Sequence, residues 1–387
     1  MISNFSFVQK IDELLAICFQ NEKTVESDRG FLILMGCNPN LTSSLFVDRR
    51  LEIVGMDIVS KDAISYCVLG RLCSLLTILF SRFPLNMIES FGFVFKLMKH
   101  MYHYSVQSLF LKLLKNEEQM IPVQKWLMSI GFLDYLYCEL TQYFPTPSLE
   151  EYTETEYYRI GGLFRIASYC LSTPNMDLVV MSSPFLVLCE YDYIDCSSHI
   201  ESQKWQLILA YFTPEFAPQL LNFILPAVSI LKEISTQIYE YHTYSILFLS
   251  QMLKHSPETE DLLVYYKVEQ HILKAFCLCY QSSILMDSLR KLLITTMRKE
   301  RLLQSIVPVF IPYLLSCAES DNIILRSHSY AILHAFESIR HDFEPLNIEL
   351  NQMPEFYQFS ISELKYRDLI LELPYGETLT ESLKRNK

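Results

Sequence analysis

Cysteine and histidine side chains are the first candidates for chemistry in this chain of 387 residues. Cys277 and Cys279 are separated by a single residue, whereas paired zinc-binding cysteines are usually separated by roughly two to four. Cys189, Cys196 and His199 lie close together in sequence but lack a fourth ligand. Free cysteine is among the most frequently buried residue types. The pattern therefore favours buried structural thiols, and no metal site is predicted.

The motifs of common enzymes are absent from the sequence. Dinucleotide and phosphate loops need closely spaced glycines so that the backbone can approach a phosphate group, and Gly161-Gly162 is the only adjacent glycine pair. His334 and Glu337 lack the second histidine of a zinc protease motif. We therefore expect a protein that is not an enzyme and holds no cofactor. An enzyme whose cleft residues are scattered along the chain is the rival interpretation.

The most unusual charge pattern lies between Phe91 and Asn116, where no aspartate or glutamate occurs. The positive and titratable side chains of this segment are Lys96, Lys99, His100, His103, Lys112 and Lys115. The spacing of the first four predicts one shared face of one helix. This face is interpreted either as an ordinary solvated surface or as a basic docking stripe for an acidic partner protein. The docking residues would be Lys96, Lys99, His100 and Lys112.

Apolar residues recur with the period of an α-helix along almost the whole chain. Between Ser65 and Phe83 one helix face carries Val68, Leu72, Leu75, Leu76, Leu79 and Phe83. Similar segments occur at about 85–102, 104–115, 121–143, 156–172, 198–212, 216–234, 236–254, 258–280, 281–298, 302–318 and 322–340. The 9 glycines are about a third of the usual ~7%, which disfavours folds rich in tight turns. We predict an all-α protein that is more than about two-thirds helical.

Helices of about 15–20 residues follow one another closely, so a pair of helices spans about 40 residues. That period is typical of armadillo and HEAT-type arrays, in which each repeat buries its apolar face on its neighbours. The predicted fold is an all-α superhelical array of armadillo/HEAT-like helix pairs, with a globular helical bundle as the alternative. The predicted divisions are an N-terminal helical cap at 1–60, a helical-repeat scaffold at 61–341, and a C-terminal cap or extended arm at 342–387.

Acidic residues outnumber basic ones by 44 to 32, which gives a net charge of −12. This balance opposes non-specific binding to nucleic acid or to an anionic membrane. Lys10, Asp12 and Glu13 interrupt the apolar start of the chain, unlike a secretory signal peptide. The apolar stretch 306–315 is too short to span a membrane. We expect a cytoplasmic or nuclear protein with reduced cysteines and no membrane insertion.

A family resemblance lies within the acid-free segment. Residues 93–100, with the sequence FVFKLMKH, continue into residues 105–114, with the sequence SVQSLFLKLL. Without a gap, this stretch resembles the signature segment of the SAPS-domain family, in which a Phe-Val…Leu…Lys-His segment leads into a leucine-rich run. Trp126-Leu127 is similar to the Trp-Leu pair that opens the family's next helix. The family's second signature would fall on 281–286, where only the leucine is retained.

Members of the SAPS-domain family are regulatory subunits of phosphatases of the protein phosphatase 6 class, which are serine/threonine phosphatases related to type 2A. The resemblance therefore implies a non-catalytic subunit that binds the phosphatase catalytic subunit, with further substrate-recruiting proteins, and directs it to substrates. The implied structural signature residues are Phe93, Val94, Leu113, Trp126 and Leu127. We expect Trp126 and Leu127 to be mainly structural. An armadillo/HEAT-type adaptor for another protein partner, as in transport or trafficking, is the alternative.

Overall fold

The protein is all-α in a computed structural model of the chain. The structure describes residues 2–61, 64–143, 153–173, 182–190 and 198–367. Helix accounts for 81% of the structure, and none of the described residues lies in a β-strand. The all-α class and the predicted helix content above about two-thirds are therefore confirmed.

The first of two compact units comprises Met1–Tyr211. Its helices are α1 Ile2–Cys18, α2 Val25–Met35, α3 Pro39–Phe46, α4 Arg50–Val59, α5 Tyr66–Arg82, α6 Pro84–Ser90, α7 Val94–Met98, α8 Tyr104–Leu113, α9 Ile121–Ser129, α10 Phe132–Thr141, α11 Glu154–Leu171, α12 Ser182–Glu190 and α13 Ser198–Ala210. Short 3-10 turns at Val47–Arg49 and Glu118–Met120 lead into α4 and α9.

The second compact unit comprises Phe212–Lys387. A 3-10 helix at Ala217–Phe223 leads into its first α-helix. Its helices are α14 Ile224–Glu233, α15 Glu240–His255, α16 Pro257–Tyr265, α17 Val268–Cys279, α18 Ser283–Thr296, α19 Glu300–Ala318, α20 Ile323–Arg340, α21 Glu344–Asn351 and α22 Pro354–Phe359. The chain thus divides inside the predicted scaffold 61–341, and the predicted three-part division stays a prediction.

Helices three places apart in the chain pack on each other in both units. In the first unit α2 packs on α5, α5 on α8, α6 on α9, and α8 on α11. In the second unit α14 packs on α17, α15 on α18, and α16 on α19. Equivalent helices start about 40 residues apart, as Glu240 and Ser283 do. The prediction of an armadillo/HEAT-like array is therefore confirmed. The repeating unit differs from the predicted one, since it holds three helices instead of a pair.

Two predicted helices are each interrupted by a residue in the left-handed conformation. Gly131, at φ 72°, separates α9 from α10 within the predicted helix 121–143. Lys267, at φ 52°, separates α16 from α17 within the predicted helix 258–280. A left-handed residue ends a helix because its backbone turns away from the helix axis. Both segments are therefore helical as predicted, but each consists of two helices instead of one.

The predicted helix over 85–102 is wrong, because α6 ends at Ser90 and α7 is a separate short helix. Phe91 and Phe93 are both fully buried, and their ring centroids lie 5.0 Å apart. Residues two apart in a helix do not face each other, so one continuous helix cannot bury both rings in one cluster. The helix is instead interrupted around Gly92.

The described part of the C-terminal region is packed on the helices before it. Helix α21 contacts both α19 and α20, and α22 contacts α19. The prediction of a cap or an extended arm over 342–387 stays a prediction. Residues 368–387 lie outside the described part of the chain.

Among the described residues, α19 is the one helix with the length and apolar composition of a membrane span. Half of its most apolar stretch, 50%, is buried inside the protein, where α16, α20 and α21 pack against it. Core helices have the same length and composition. The absence of membrane insertion therefore stays a prediction.

Candidate protein-binding surface

Four of the five signature residues form part of the core of the first unit. Phe93, Val94, Leu113 and Leu127 are all at most 1% exposed. The ring of Phe93 lies directly against Gly55 of α4, where an added Cβ would sit 2.4 Å from the ring. The Phe93 ring therefore packs the start of the short helix α7 against α4.

Trp126 is half-buried, although its neighbour Leu127 is completely buried. The Trp126 ring lies 6.0 Å from that of Phe91, centroid to centroid, and Phe91 in turn packs on Phe80 of α5 at 5.1 Å. Trp126 is thus attached to the aromatic cluster of the core while part of it stays accessible. The fully buried tryptophan of this unit is Trp205.

The predicted basic stripe does not exist as one helix face. Lys96 lies on α7, Lys99 caps its C-terminal end, and His100 belongs to the turn that follows. His103 is the N-cap of α8, where its Nδ1 accepts a hydrogen bond from the backbone N–H of Ser105 at 3.2 Å. A helix that stops after five residues cannot align side chains seven positions apart, so the prediction of a shared face is wrong.

His100 is buried and serves the interior, not the surface. Its Nε2 lies 3.2 Å from the backbone carbonyl of Val59, and its Nδ1 lies 3.4 Å from the hydroxyl of Tyr102. Since a carbonyl oxygen only accepts hydrogen bonds, Nε2 carries the proton and Nδ1 accepts from Tyr102. Burial lowers the pKa of His100, which favours this neutral form. The prediction that His100 contacts a partner is therefore not supported by its position.

Lys112 is also engaged within the chain. Its Nζ donates to Glu117 at 2.7 Å, and Lys115 lies 3.1 Å from the other oxygen of that carboxylate. Hydrogen bonds from Lys112 and Lys115 lower the pKa of the Glu117 carboxyl to about 2. Glu117 follows the acid-free segment directly, so the charge of Lys112 is balanced by a residue just beyond that segment.

Two of the four predicted docking residues, Lys96 and Lys99, remain exposed. Lys96 donates a hydrogen bond from Nζ to Ser60 Oγ at 3.0 Å, which places it beside the C-terminal end of α4. Exposed ammonium groups attract carboxylates and phosphates as point charges. We name Lys96 and Lys99 the basic pair.

The turn that follows Lys99 is bonded to the buried side-chain amide of Gln107. Gln107 of α8 donates from Nε2 to the carbonyl of Met101 at 2.8 Å. Helix α11 approaches closely at Gly162, where an added Cβ would sit 2.6 Å from the same carbonyl oxygen. Satisfied buried hydrogen bonds of this kind fix local geometry. The turn that follows Lys99 is therefore bonded to α8.

The predicted thiols are only partly in the interior. Cys189 and Cys279 are buried, and burial raises the pKa of Cys189 to about 12, as expected of structural thiols. Cys277 is exposed, so its interpretation as a buried residue is wrong. Cys196 lies outside the described residues. Within the described ranges, no group of three or more histidine, cysteine, aspartate or glutamate side chains is placed to hold a metal ion.

A second basic cluster, which the sequence analysis missed, lies in a groove of the second unit between α15 and α18. The groove has a volume of about 400 Å³ and is lined by Leu247, Ser250, Gln251, Lys254, Lys291, Ile294, Thr295, Arg298 and Lys299. Its cations come from two sequence regions about 40 residues apart, which a reading of local sequence windows does not connect. The local signal is the run of basic residues from Arg290 to Arg301.

Comparisons with known proteins do not assign the chain to a family. No family model matches the chain, and no curated protein matches it. One solved structure with a similar course is the crystal structure of an engineered protein, which is 11% identical, with 92% of this chain and 98% of that chain covered, at a TM-score of 0.43. The fold assignment therefore rests on the helix packing, and the resemblance to the SAPS-domain family remains a sequence-based expectation.

Proposed function

We propose that this protein is a non-catalytic scaffold that binds the catalytic subunit of a protein phosphatase 6-class serine/threonine phosphatase and directs it to substrates. The observation that carries the proposal is the ungapped resemblance of residues 93–114, followed by Trp126-Leu127, to the SAPS signature. An all-α repeat fold is compatible with it, because such folds offer extended surfaces to partner proteins.

In this proposal the basic pair contributes to the contact with the catalytic subunit. Lys96 and Lys99 are exposed cations on a chain with a net charge of −12. Complementary charge at an interface mainly raises the association rate and the specificity. The scaffold itself performs no reaction; it raises the effective concentration of a substrate next to the phosphatase. Metal ions needed for phosphate hydrolysis would belong to the catalytic subunit.

The direct test is binding of the purified full chain to a purified catalytic subunit of this phosphatase class. We expect Lys96→Glu/Lys99→Glu to slow association by about tenfold at low salt, because electrostatic steering is lost. The matched control is Lys23→Glu/Lys365→Glu, which reverses two exposed lysines elsewhere and changes the net charge equally. The control should associate like the wild type.

Two results would count against the proposal. If the wild-type chain does not bind the catalytic subunit, the phosphatase assignment fails, and purification of the tagged chain with its partners then tests the adaptor alternative. If the wild type binds but both double variants behave alike, the basic pair has no role in the contact. Binding at two ionic strengths distinguishes steering from short-range contact, since salt screens exposed charges.

A further inference from the structure

The groove between α15 and α18 concentrates positive charge without a matching negative charge in its lining. Lys254, Arg298 and Lys299 line it, and among the described residues none of the three side chains forms an ion pair. The groove lining contains no aspartate or glutamate, although the whole chain carries a net charge of −12. Like charges that converge on one concave surface repel each other. A bound anion would relieve that repulsion.

The acidic residues nearest to Lys291 and Lys299 in sequence either form ion pairs already or lie outside the groove lining. Asp287 accepts from Lys291 at 2.7 Å and from Arg290 at 2.6 Å. Glu300 begins α19 directly after Lys299 but does not line the groove. Asp287 therefore pairs with Lys291 but with none of the other three cations of the groove lining.

The helix dipole explains only part of this concentration of positive charge. Lys254 and Lys291 belong to the C-terminal halves of α15 and α18, and Arg298 and Lys299 follow the end of α18, where cations are stabilised by the helix dipole. That effect acts on each cation separately and does not account for Lys254, Arg298 and Lys299 lining one groove. Ser250 Oγ lies 3.1 Å from Thr295 Oγ1, and Ser250 is buried. Thr295 Oγ1 itself donates to the backbone carbonyl of Lys291 at 2.9 Å, so both hydroxyls are bonded within the groove wall and the cations are the donors left for a ligand.

We infer that this groove binds a phosphorylated segment of another protein. An arginine fork with neighbouring lysines is the set of donors that a phosphate group with three acceptor oxygens takes up. A volume of about 400 Å³ lies within the range of sites that hold ligands larger than a free phosphate ion. Leu247 and Ile294 offer apolar contacts to the residues that flank the phosphate.

Nucleic acid fits the groove less well than a phosphorylated peptide. Proteins that bind single strands stack bases on aromatic side chains, and the lining of this groove contains no aromatic residue. The overall negative charge also opposes binding along an extended polyanion. The inference goes beyond the phosphatase proposal and does not depend on it, since it rests on residues of the second unit and is tested without a phosphatase.

The experiment measures fluorescence anisotropy of labelled peptides added to the purified full chain. The probe is a pool of short peptides with a fixed central phosphoserine flanked by leucine and randomised elsewhere, and the reference is the same pool with serine. We expect the phosphoserine pool to bind at least about tenfold more tightly, since charge-assisted hydrogen bonds are lost with the phosphate. Inorganic phosphate at high concentration should displace it.

The variant Lys254→Gln/Arg298→Gln should weaken binding of the phosphoserine pool by about tenfold or more. Both residues are exposed, so folding should be preserved, and thermal melting checks this. The single variant Lys254→Glu provides a second reading if the double variant melts early. The matched control Lys232→Gln/Lys365→Gln removes two exposed lysines of the same unit that do not line the groove. This control should bind like the wild type.

Several results overturn the inference. These are equal binding of the phosphoserine and serine pools, no binding of the phosphoserine pool to the wild type, and equal binding by the groove variant and the control. Displacement of the probe by a single-stranded oligothymidylate at lower concentrations than by the unlabelled phosphopeptide pool would assign the groove to nucleic acid instead. Preferential binding to phosphatidylserine vesicles that is lost in the groove variant would assign it to a membrane surface.

Discussion

The side chain of His100 reaches back to Val59 and lies 3.2 Å from its backbone carbonyl oxygen. This contact joins the turn after α7 to the last residue of α4, across 41 positions of sequence. A neutral, buried imidazole in this place is a structural element of the repeat. The contact attaches the turn next to the exposed Lys99 to the end of α4.

The stability of the protein should fall in mild acid, partly because of His100. Burial lowers the pKa of His100 in the folded state, whereas an unfolded histidine titrates near about 6.5. Below that pH the unfolded chain binds a proton that the folded chain does not, so the free energy of unfolding decreases until the lower folded pKa is passed. Above about pH 6.5 this histidine contributes no pH dependence.

The variant His100→Gln isolates this contribution, because glutamine can still donate to Val59 but does not titrate. We expect its melting temperature to drop less between about pH 7.5 and about pH 5.5 than that of the wild type. His334→Gln, at an exposed histidine, is the control and should follow the wild type. Parallel pH profiles for wild type and His100→Gln would contradict the assignment.

Two glycine substitutions should change the stability of the protein in opposite directions, because Gly55 packs closely on the Phe93 ring and Gly70 has free space around it. Gly55→Ala places a methyl group 2.4 Å from the Phe93 ring, and we expect overpacking to destabilise the protein by about 1–3 kcal/mol. Gly70 lies inside α5 with its nearest neighbour, Ser105 Oγ, 3.7 Å from an added Cβ. Gly70→Ala should therefore stabilise by up to about 1 kcal/mol through helix propensity. Chemical denaturation measures both.

A second substitution shows whether the Phe93 ring causes the loss in Gly55→Ala. Phe93→Leu leaves a cavity on its own and should destabilise. In the double variant the added methyl group occupies part of that space, so the combined loss should be smaller than the two single losses together. Simple additivity would mean that the strain of Gly55→Ala is relieved elsewhere.

Burial predicts a ranking of three substitutions at large apolar residues. Trp205→Ala removes a side chain that is 1% exposed and should cost about 3–5 kcal/mol. Leu127→Ala, at a completely buried position, should cost about 2–5 kcal/mol. Trp126→Ala should cost less than Trp205→Ala, because Trp126 is half-buried. Unchanged stability of Trp126→Ala together with lost partner binding would make Trp126 an interface residue instead of a structural one.

Sequence periodicity predicts burial even where it does not predict helix continuity. Val94, Leu97, Met98 and Met101 recur with helical spacing within the predicted helix over 85–102, and all four are buried, although α7 ends at Met98. Apolar side chains must leave water whatever the local backbone does. The break itself depends on Phe91 and Phe93 sharing one aromatic cluster, which is a tertiary property.

The roles of polar residues depended on partners that a local sequence pattern does not contain. His100 pairs with Val59, which is distant in sequence, and Lys112 pairs with Glu117, which lies just past the acid-free segment. The groove in the second unit needs Lys254 and Arg298 from different helices. Charge patterns along one segment therefore identified the exposed Lys96 and Lys99 but could not distinguish them from lysines neutralised within the chain.

The two left-handed residues that interrupt predicted helices should respond in opposite directions to substitution. Gly131→Ala puts a Cβ on a backbone at φ 72° and should destabilise by about 1–2 kcal/mol, the usual strain of a left-handed residue with a side chain. Lys267 already bears that strain at φ 52°. Lys267→Gly should relieve it, and, after the greater backbone entropy of glycine in the unfolded chain is subtracted, should stabilise by up to about 1 kcal/mol. Lys125→Gly, at an exposed position inside α9, is the control for glycine itself and should destabilise by about 1 kcal/mol. If both Lys→Gly variants lose stability equally in urea denaturation, the turn between α16 and α17 is not strained at Lys267.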